Sequence, residues 1–557
     1  MMKKIAFICY ESPFAPGGGI AAVIGKLPQS VEQSSGLLTL VVTPYHQNIS
    51  KTTSLKDSMA RVGRVSVPYD GDQAPVNIFS LERNGSWVFL QPQQKAFFAG
   101  KRHPYDVGET QEKTSAILLR DALFFGAASV RALGLIDPQA EWILLMQDWE
   151  AATCALALSD GEIGPEYITF LTLHNSYDSP APPSELARFG IDPLNCPGDT
   201  ILTRALPLVE KPVFTVSDQF SRDFNSEILQ AEVMAPHLQD RLSGVLVGVN
   251  NGLFADLAIP DEALSSARLG DFSRLKAWKS GNRDHALKAL SELTATKDTP
   301  VWGNPAKFGQ DDAPWFVLAG RDDARQKGYD IACAAIERFL SQGGQARFLF
   351  FPIPGDEGLA GLSFLRKLAE RFPESVLVLP FIFREGYFSA LQGATYGIMP
   401  SLYEPFGMAN EFYLNGTVGI GRATGGILQQ IVPLRSARAF SHAVQVRSDQ
   451  WYGASAHPTG ILYRELDGIP SAASDWEKIN DAGYELGGKS PDRVQERSAY
   501  PLFQAMVDEL RASIEDGVQV FTEQPDLYYR LLTEGIDYIQ NSFSWRRAAS
   551  AYVRYLR

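Results

Sequence analysis

Residues Pro400–Ile427 read PSLYEPFGMANEFYLNGTVGIGRATGGI, and we interpret them as the segment around which the chain is organised. The segment places one carboxylate, Glu404, in a weakly charged apolar run. It ends in Thr424, Gly425 and Gly426, ahead of a predicted helix start. Glycines let a ligand approach the backbone, and the free N–H groups of a first helical turn bind anions. Glu404 is thus followed by a predicted phosphate cradle, by which we mean the backbone N–H groups of Thr424, Gly425 and Gly426. This combination indicates a site for a phosphorylated sugar or a nucleotide.

Length and charge limit the class of protein. The chain has 557 residues, which exceeds what one hydrophobic core usually covers, so we expect two domains. Its formal net charge of −13 argues against a general affinity for nucleic acid or an anionic membrane, although a local basic pocket remains compatible with it. No stretch approaches the roughly 18 apolar residues of a membrane-spanning helix. We therefore predict no nucleic-acid partner and no membrane insertion.

The cysteines and the N-terminus indicate the compartment. Cys9, Cys154, Cys196 and Cys333 are far apart and form no CxxC or histidine-paired spacing, so we expect small buried residues in a reducing environment. The apolar run Ile5–Tyr10 is too short for a signal sequence and is typical of a first buried strand. These features predict a cytoplasmic protein.

Buried strands alternate with helices in both halves of the chain, which is typical of doubly wound α/β folds. Strands are predicted at Lys3–Tyr10, Leu37–Val42, Arg64–Pro68, Val76–Leu81, Trp87–Leu90, Trp142–Met146, Tyr167–Leu173, Val213–Val216 and Gly244–Val249 in the first half. In the second half they are predicted at Trp315–Ala319, Arg347–Pro352, Val376–Pro380, Tyr396–Met399 and Ile461–Tyr463. We place an N-terminal domain at 1–258, an inter-domain passage at 259–314, a C-terminal domain at 315–530 and a final helical segment at 531–557.

Polar residues follow three strands of the first half. They are Asp148, His174 and Asn251. In open α/β sheets ligands bind beyond the carboxyl ends of the strands, so the first half is expected to face a ligand. Two such halves would form a cleft between domains, which is a favoured place for a ligand.

Each candidate residue also has an ordinary structural interpretation. Arg321 and Lys327 could neutralise a departing pyrophosphate, but a solvated surface loop is an equally ordinary reading. Glu404 suits sugar hydroxyls or developing positive charge, or is a surface carboxylate beside a turn. Thr424 and the two glycines after it could form a packing-driven turn. His174 could be a hydrogen-bonded core histidine.

Three familiar site types are not supported by the sequence. Gly17-Gly18-Gly19 has neither the GxGxxG spacing of a dinucleotide fold nor the Gly-Lys-Ser/Thr of a P-loop. The 7 histidines include no HExxH and no i,i+4 pair, so hydrolytic zinc chemistry is not predicted.

Taken together, the motifs resemble those of bacterial glycogen and starch synthases, which are retaining glucosyltransferases of the GT-B fold, over nearly the whole chain. The similar segments of the first half are Gly18–Pro28, Gln147–Ala151, Thr172–Asn175, Phe214–Ser217 and Val249–Gly252. Those of the second half are Gly320-Arg321, Gln326–Gly328, Pro400–Gly407, Arg422–Gly426 and Phe543–Trp545. The resemblance implies an α/β architecture of two Rossmann-like domains facing across a cleft, with a C-terminal helix that crosses back to the N-terminal domain.

The resemblance also implies roles for individual residues. Arg321 and Lys327 would hold the donor diphosphate and stabilise it as leaving group, and the backbone N–H groups of Thr424, Gly425 and Gly426 would contact the same phosphates. Glu404 would bind hydroxyls of the transferred sugar, and His174 would bind the sugar near the reacting carbon. Residues implied to bind donor or substrate elsewhere are Gly18, Gly19, Asp148, Asn175, Asn251 and Gly407.

The implied reaction transfers glucose, with retention, from ADP-glucose or UDP-glucose to a glucan or related saccharide. It would proceed by front-face displacement in which the leaving phosphate assists the acceptor hydroxyl. The implied partners are the nucleotide sugar and the saccharide acceptor. No metal and no other cofactor is expected, since Arg321 and Lys327 would do the electrostatic work.

The chain departs from the family pattern mainly in its N-terminal half. The family lysine before Gly-Gly-Leu is Pro16, the acidic residue after it is Ala22, and the two histidines of His-Asp-Trp-His are Gln147 and Glu150. The run after Glu404 is one residue shorter than usual, which leaves Glu411 one position out of register with a second acid of the wider superfamily. These departures leave two alternatives open: a transferase acting on a small or lipid-linked acceptor, and an inactive GT-B protein that binds glycans or regulates a partner.

Overall fold

The computed structural model describes residues 2–93, 97–102, 104–105, 114–159, 161, 164–355, 357–466, 473–481 and 492–556. The chain forms two compact units. The first comprises Met1–Ser226, Met234–Gly252 and Ser544–Arg557, and the second comprises Glu227–Val233 and Leu253–Phe543. The stretch 259–314, interpreted from sequence as a passage between domains, lies within the second unit. The C-terminal segment of the first unit begins at Ser544, whereas the sequence placed the final segment at 531.

A nine-stranded sheet forms the centre of the first unit, in the order β3-β4-β5-β2-β1-β6-β7-β8-β9. The strands are β1 (Lys3–Cys9), β2 (Thr39–Pro44), β3 (Ala60–Tyr69), β4 (Asp72–Glu82), β5 (Ser86–Pro92), β6 (Glu141–Gln147), β7 (Tyr167–Leu173), β8 (Val213–Thr215) and β9 (Leu246–Gly248). The pairs β3/β4 and β4/β5 are antiparallel, and the other neighbours are parallel. Asp70 and Gly71, both with positive φ, form the tight turn between β3 and β4.

Helices flank this sheet. They are Gly19–Ile24, Leu27–Ser35, Gln47–Lys51, Thr53–Ser58, Thr114–Ile136, Asp148–Leu158, Pro183–Arg188, Ile201–Ala205, Asp218–Ser226, Gln239–Leu242 and Trp545–Val553. Short 3-10 turns cover Phe98–Gly100, Leu206–Leu208 and Pro236–Leu238. The π-helical segment Leu229–Met234 falls almost entirely in the second unit. The C-terminal helix packs in the first unit, where the Tyr552 hydroxyl lies 3.2 Å from Thr172 Oγ1 and its ring lies 4.6 Å from that of Phe214. This placement agrees with the returning helix that the resemblance implies.

The second unit contains a six-stranded, entirely parallel sheet in the order β12-β11-β10-β13-β14-β15. The strands are β10 (Trp315–Arg321), β11 (Arg347–Ile353), β12 (Val376–Val378), β13 (Tyr396–Met399), β14 (Val418–Arg422) and β15 (Ile461–Tyr463). Phe316 stacks between Phe348 and Tyr396 at centroid distances of 5.2 and 5.1 Å, which joins three adjacent strands on one face.

The helices of the second unit are Asp261–Arg268, Ser273–Ser291, Tyr329–Ser341, Ser363–Arg371, Tyr387–Gly393, Ala409–Leu414, Gly425–Gln430, His442–Ser448, Ala473–Asp481, Arg493–Arg497, Pro501–Glu523 and Pro525–Ser542, with a 3-10 turn at Gly358–Leu362. The long helix Pro501–Glu523 lies against the sheet, because the Tyr396 hydroxyl donates to the Gly517 carbonyl at 2.8 Å. None of the helices in the described ranges is long and apolar enough to span a membrane.

One strand of the second sheet was missed by the sequence reasoning. The segment Val418–Arg422, with two glycines in five residues, does not have the apolar pattern of a buried strand. The structure shows why the glycines are there: a Cβ on Gly421 would come 2.5 Å from Ile427, on the helix that packs against β14. All four cysteines are buried thiols, as expected, and none of them forms a disulfide.

Candidate active site

The loop after β10 carries both cations predicted to hold a diphosphate. Arg321 is the exposed last residue of β10, and the next residue, Asp322, is buried with its N–H donated to the Ile353 carbonyl at 2.8 Å. The loop ends at Gly328, whose φ of 61° is left-handed and whose missing Cβ leaves room for the Pro400 carbonyl. A side chain at this position would therefore push apart the loop and the start of the Pro400–Ile427 segment.

Two buried arginines, which sequence reasoning missed, hold this loop from the helix Arg493–Arg497. Arg493 Nη2 donates to Asp322 Oδ1 at 2.7 Å, and Arg497 Nη2 donates to the Ala324 carbonyl at 2.8 Å. Arg497 Nη1 also donates to Asp330 Oδ2 at 2.9 Å. The arginines lie about 170 residues beyond the loop in the chain, so no local pattern indicates the contact.

Lys327 and Glu404 are brought together at the carboxyl ends of β10 and β13. Lys327 Nζ lies 2.7 Å from Glu404 Oε2, which also accepts the Ser401 hydroxyl at 2.9 Å. Gln326 Nε2 donates to the other oxygen, Glu404 Oε1, at 3.1 Å. Glu404 is 6% exposed, and the Lys327 side chain is 29% exposed. The carboxylate is therefore fixed in orientation, while the ammonium group can reach a ligand.

The glycines of the predicted phosphate cradle are required by the turn that contains Glu404. Gly425 has a φ of 46°, and a Cβ there would overlap the Glu404 carbonyl. Gly426 donates its N–H to that carbonyl at 3.0 Å, and Thr424 donates its N–H to the Arg422 carbonyl at 2.8 Å. The N–H groups of Thr424 and Gly426, both predicted to bind phosphate, are therefore already bonded within the protein.

Two further residues lie near Glu404. Gly407 has a φ of 87°, and a Cβ there would lie 3.0 Å from Glu404 Cγ. Glu411, in the helix Ala409–Leu414, has its pKa raised to about 7 by burial, although the charge of Lys327 opposes this shift. Its carboxyl group is thus close enough to Lys327 to interact with the same cation.

In the first unit, Asp148, His174 and Asn175 meet at the carboxyl ends of β6 and β7. Asp148 Oδ1 accepts the His174 backbone N–H at 2.5 Å, and Oδ2 accepts from Asn175 Nδ2 at 3.1 Å. Asp148 also adopts a φ of 61°, which is uncommon outside glycine and marks a strained, specific position. Burial raises the pKa of Asp148 to about 8.

His174 is bound by one of the residues that departs from the family pattern. The Gln147 side chain donates to the Leu145 carbonyl at 3.0 Å, which leaves its Oε1 to accept from His174 Nε2 at 2.8 Å. Burial lowers the pKa of His174 to about 3, so the ring is neutral at ordinary pH. With the proton on Nε2, the Nδ1 lone pair is the remaining acceptor of the ring.

A buried carboxylate organises the glycine-rich loop after β1. Glu11 Oε2 accepts the N–H groups of Gly17 and Gly18, and Oε1 accepts the Tyr105 hydroxyl at 2.8 Å. Gly19 has open space where a Cβ would stand. Glu11 was not chosen from the sequence, although it follows a buried strand just as Asp148 follows β6. The exposed Pro16 precedes these glycines.

Asn251 lies elsewhere in the first unit. It is buried just beyond β9, two strands from β7 in the sheet order, and its N–H donates to the Val216 carbonyl at 3.2 Å. In the ranges that the structure describes, no group of three or more His, Cys, Asp or Glu residues is arranged to hold a metal ion.

The two α/β units have the fold of GT-B glycosyltransferases. The catalytic domain of starch synthase IV from Arabidopsis thaliana, solved with ADP and acarbose, aligns at a TM-score of 0.68 and 16% identity, covering 99% of this chain and 98% of that one. The sucrose-phosphate synthase of Thermosynechococcus elongatus aligns at 0.52 and 15% identity, covering 100% and 98%.

Sequence comparison narrows the class. Residues 4–240 match the family model of the starch synthase catalytic domain. Glycogen synthase 2 of Agrobacterium fabrum is 24% identical over 99% of this chain and 92% of its own length, and the glycogen synthase of Kosmotoga olearia is 26% identical over 76% and 82%. These findings confirm the resemblance drawn from the motifs: the chain is similar to glycogen and starch synthases.

Proposed function

We propose that the chain transfers glucose, with retention, from ADP-glucose or UDP-glucose to a glucan or related saccharide. The observation that carries this proposal is the Lys327–Glu404 pair at the strand ends of the second unit, 2.7 Å apart and held by Ser401 and Gln326. An NDP-sugar presents a diphosphate and several hydroxyls. The pair offers one group of each required kind, a cation and a hydrogen-bond acceptor.

The hydrogen-bonding capacity of the pair supports this assignment. An ammonium group has three N–H donors, and Lys327 uses one on Glu404, so two can reach phosphate oxygens. A carboxylate accepts about four hydrogen bonds, and Glu404 accepts three within the protein. The remaining position suits one sugar hydroxyl. Arg321, at the end of β10, would add a second cation for the leaving diphosphate.

The first unit would supply the groups on the sugar and acceptor side. In our proposal the neutral His174 accepts a sugar hydroxyl through Nδ1, and Asp148, Asn175 and Asn251 bind further hydroxyls. Gly18 and Gly19 would line the same side. Thr424 and Gly425 would approach the diphosphate, with Gly426 and Gly407 shaping the turn around Glu404. Arg321 and Lys327 would supply the positive charge, so the proposal includes no metal.

ADP-glucose is the preferred donor in this proposal, since the solved starch synthase IV carries ADP. A thermal-shift panel of ADP, UDP, GDP and their glucose conjugates tests it. A ligand that binds the folded chain raises its apparent stability by about 2.7 kcal/mol at a concentration of 100 Kd. Transfer to glycogen from the selected donor, strongly reduced but still measurable in Glu404→Ala, is the expected result. A chain that neither binds, hydrolyses nor transfers from any nucleotide sugar contradicts the proposal.

A second candidate function is favoured by the bond between Gln147 and His174. Gln147 replaces a histidine of the family pattern, and it occupies Nε2 of the residue proposed to bind sugar. Such a change on the acceptor side favours transfer to a small or lipid-linked acceptor with the same donor chemistry. Product analysis separates the two functions: chain elongation of a glucan supports the first, and a single added sugar on a small acceptor supports the second.

The prediction that the protein is cytoplasmic stays a prediction.

A further inference from the structure

A buried ion pair lies beneath the turn that contains Glu404. Arg422, the last residue of β14, is 1% exposed, and Glu465, which follows β15, is 5% exposed. Arg422 Nε donates to Glu465 Oε2 at 2.9 Å, and Nη2 donates to Oε1. The carboxylate thus holds one edge of the guanidinium in a two-pronged contact.

The other edge of the same guanidinium contacts the turn that contains Glu404. Arg422 Nη1 donates to the Leu402 carbonyl at 2.6 Å. On its other side, Leu402 donates its N–H to the Gln326 carbonyl at 2.7 Å. Leu402 is therefore fixed at both of its backbone polar groups, one from the end of β14 and one from the loop that carries Lys327. Glu404 is two residues further along the same turn.

A second arginine holds the other side of this turn. Arg464 Nη1 donates to the Ala423 carbonyl at 2.9 Å, directly before Thr424, and Arg464 Nε lies 3.2 Å from Glu465 Oε1. Glu465 therefore hydrogen-bonds Arg422 and lies beside Arg464, whose Nη2 donates to Glu227 Oε2. Burial alone would raise the pKa of Glu465, but the charges of Arg422 and Arg464 outweigh it and hold that pKa at about 2. The carboxylate stays ionised wherever the protein is folded at ordinary pH.

We propose that Arg422 and Glu465 are positioning residues for the transfer reaction, which hold Glu404 in register through the backbone of Leu402. The inference rests on the proposed function, because it concerns the orientation of the carboxylate assigned there to the sugar. Only a planar group with donors on two edges can bind Glu465 and Leu402 at once. A lysine at position 422 can pair with Glu465 but cannot also reach the Leu402 carbonyl in that geometry.

The test measures kcat/KM for the selected nucleotide sugar in the full chain. Glu465→Gln and Arg422→Lys are each expected to lower it by about 30- to 100-fold, because a displacement of the order of 1 Å costs about this much. The double variant should lose about as much as either single one, since both act through one contact. The decisive readout is the Glu404→Ala background, in which Glu465→Gln should lower the residual rate less than threefold.

Asp516→Asn is the matched control. Asp516 is a buried carboxylate of the same unit that binds Arg438 Nε at 2.9 Å and the Ala439 N–H at 2.8 Å. This variant should lower thermal stability as Glu465→Gln does, yet leave kcat/KM within about twofold of the unmodified chain. Arg422→Lys keeps the buried charge and the ion pair. It therefore replaces Glu465→Gln in the kinetic test if Glu465→Gln does not fold.

Three results would overturn the inference while leaving the function intact: Arg422→Lys at full activity, Glu465→Gln within threefold of the unmodified chain, or an equal loss from Glu465→Gln with and without Glu404. The last result would mean that the pair supports the fold alone. An unmodified chain that transfers from no nucleotide sugar overturns the proposed function first, and this inference with it.

Discussion

Lys327 Nζ lies 2.7 Å from Glu404 Oε2, and the two side chains come from loops that are 77 residues apart in the chain. The lysine is the more exposed partner, at 29% against 8% for the side chain of the glutamate. The pair therefore joins a fixed carboxylate to a cation that can contact a ligand. Lys327 is therefore the first residue to substitute.

Lys327→Ala is expected to lower kcat/KM for the nucleotide sugar by about 100- to 1000-fold, because a positioned charge on a developing anion is worth this much. Glu404 keeps its bonds from Ser401 and Gln326, so the fold should persist. Steady-state kinetics with the preferred donor check this. The matched control is Lys307→Ala, which removes an exposed ion pair with Glu374 at 2.6 Å and should leave the kinetics unchanged.

Gly425→Ala is expected to destabilise the chain by more than about 3 kcal/mol or to prevent folding, because the new Cβ would overlap the Glu404 carbonyl. Gly343 is the matched control, since it also has a positive φ, of 85°, but has nothing within 4 Å of an added Cβ. Gly343→Ala should cost only the backbone strain, about 1–2 kcal/mol. Denaturant unfolding of both variants checks the difference, and equal costs would contradict the close approach.

His174→Gln should make stability less sensitive to acid. Burial lowers the pKa of folded His174 to about 3, whereas the unfolded residue titrates near 6.5. Between these values the unfolded chain binds more protons, so the free energy of unfolding falls as the pH falls below about 6.5. The variant, which keeps a donor for Gln147, lacks this contribution. Unfolding measured from pH 4 to 8 should show the two curves converging toward acid, and parallel curves would refute the shift.

Asp148→Asn tests a raised pKa, whereas His174→Gln tests a lowered one. The pKa of Asp148 is raised to about 8, mainly by burial and further by the charge of Glu11. The usual pKa of an unfolded aspartate is near 3.9. Between these values the folded chain binds the extra proton, so stability falls as pH rises toward 8. Asparagine tolerates the φ of 61° and cannot ionise. The variant should gain stability relative to the unmodified chain between pH 5 and 8, and a constant difference would exclude a raised pKa.

Much of the secondary structure could be predicted, because local patterns encode it. The strands Tyr167–Leu173, Tyr396–Met399 and Ile461–Tyr463 have the bounds that the apolar runs predict. The helix after β8 begins at a serine of the kind that marks helix starts in a sequence, since the Phe220 N–H donates to the Ser217 hydroxyl at 3.1 Å. The strand Val418–Arg422 was missed because its small residues serve the helix packed against it, which is a tertiary requirement.

In the candidate site, too, local patterns predicted the residues, and tertiary contacts decided their partners. Glu404 and Lys327 were identified from motifs, and their contact follows from two loops meeting at one edge of a parallel sheet. The phosphate cradle was predicted from a local turn, yet the Gly426 N–H is bonded to Glu404, because the turn folds back on that residue. Arg422 was part of a recognised motif, but its hydrogen-bond partner Glu465 lies more than forty residues further along the chain.

The sequence by itself determined most of the strands, the class of fold and the residue types that suit a nucleotide sugar. These follow from apolar periodicity, capping residues and motifs that act over a few positions. Only the tertiary structure decided which polar groups are already bonded to each other: Lys327 to Glu404, Gln147 to His174, and Glu11 to the glycines after it. Burial of polar groups demands partners, and those partners come from whichever strand ends the topology brings together.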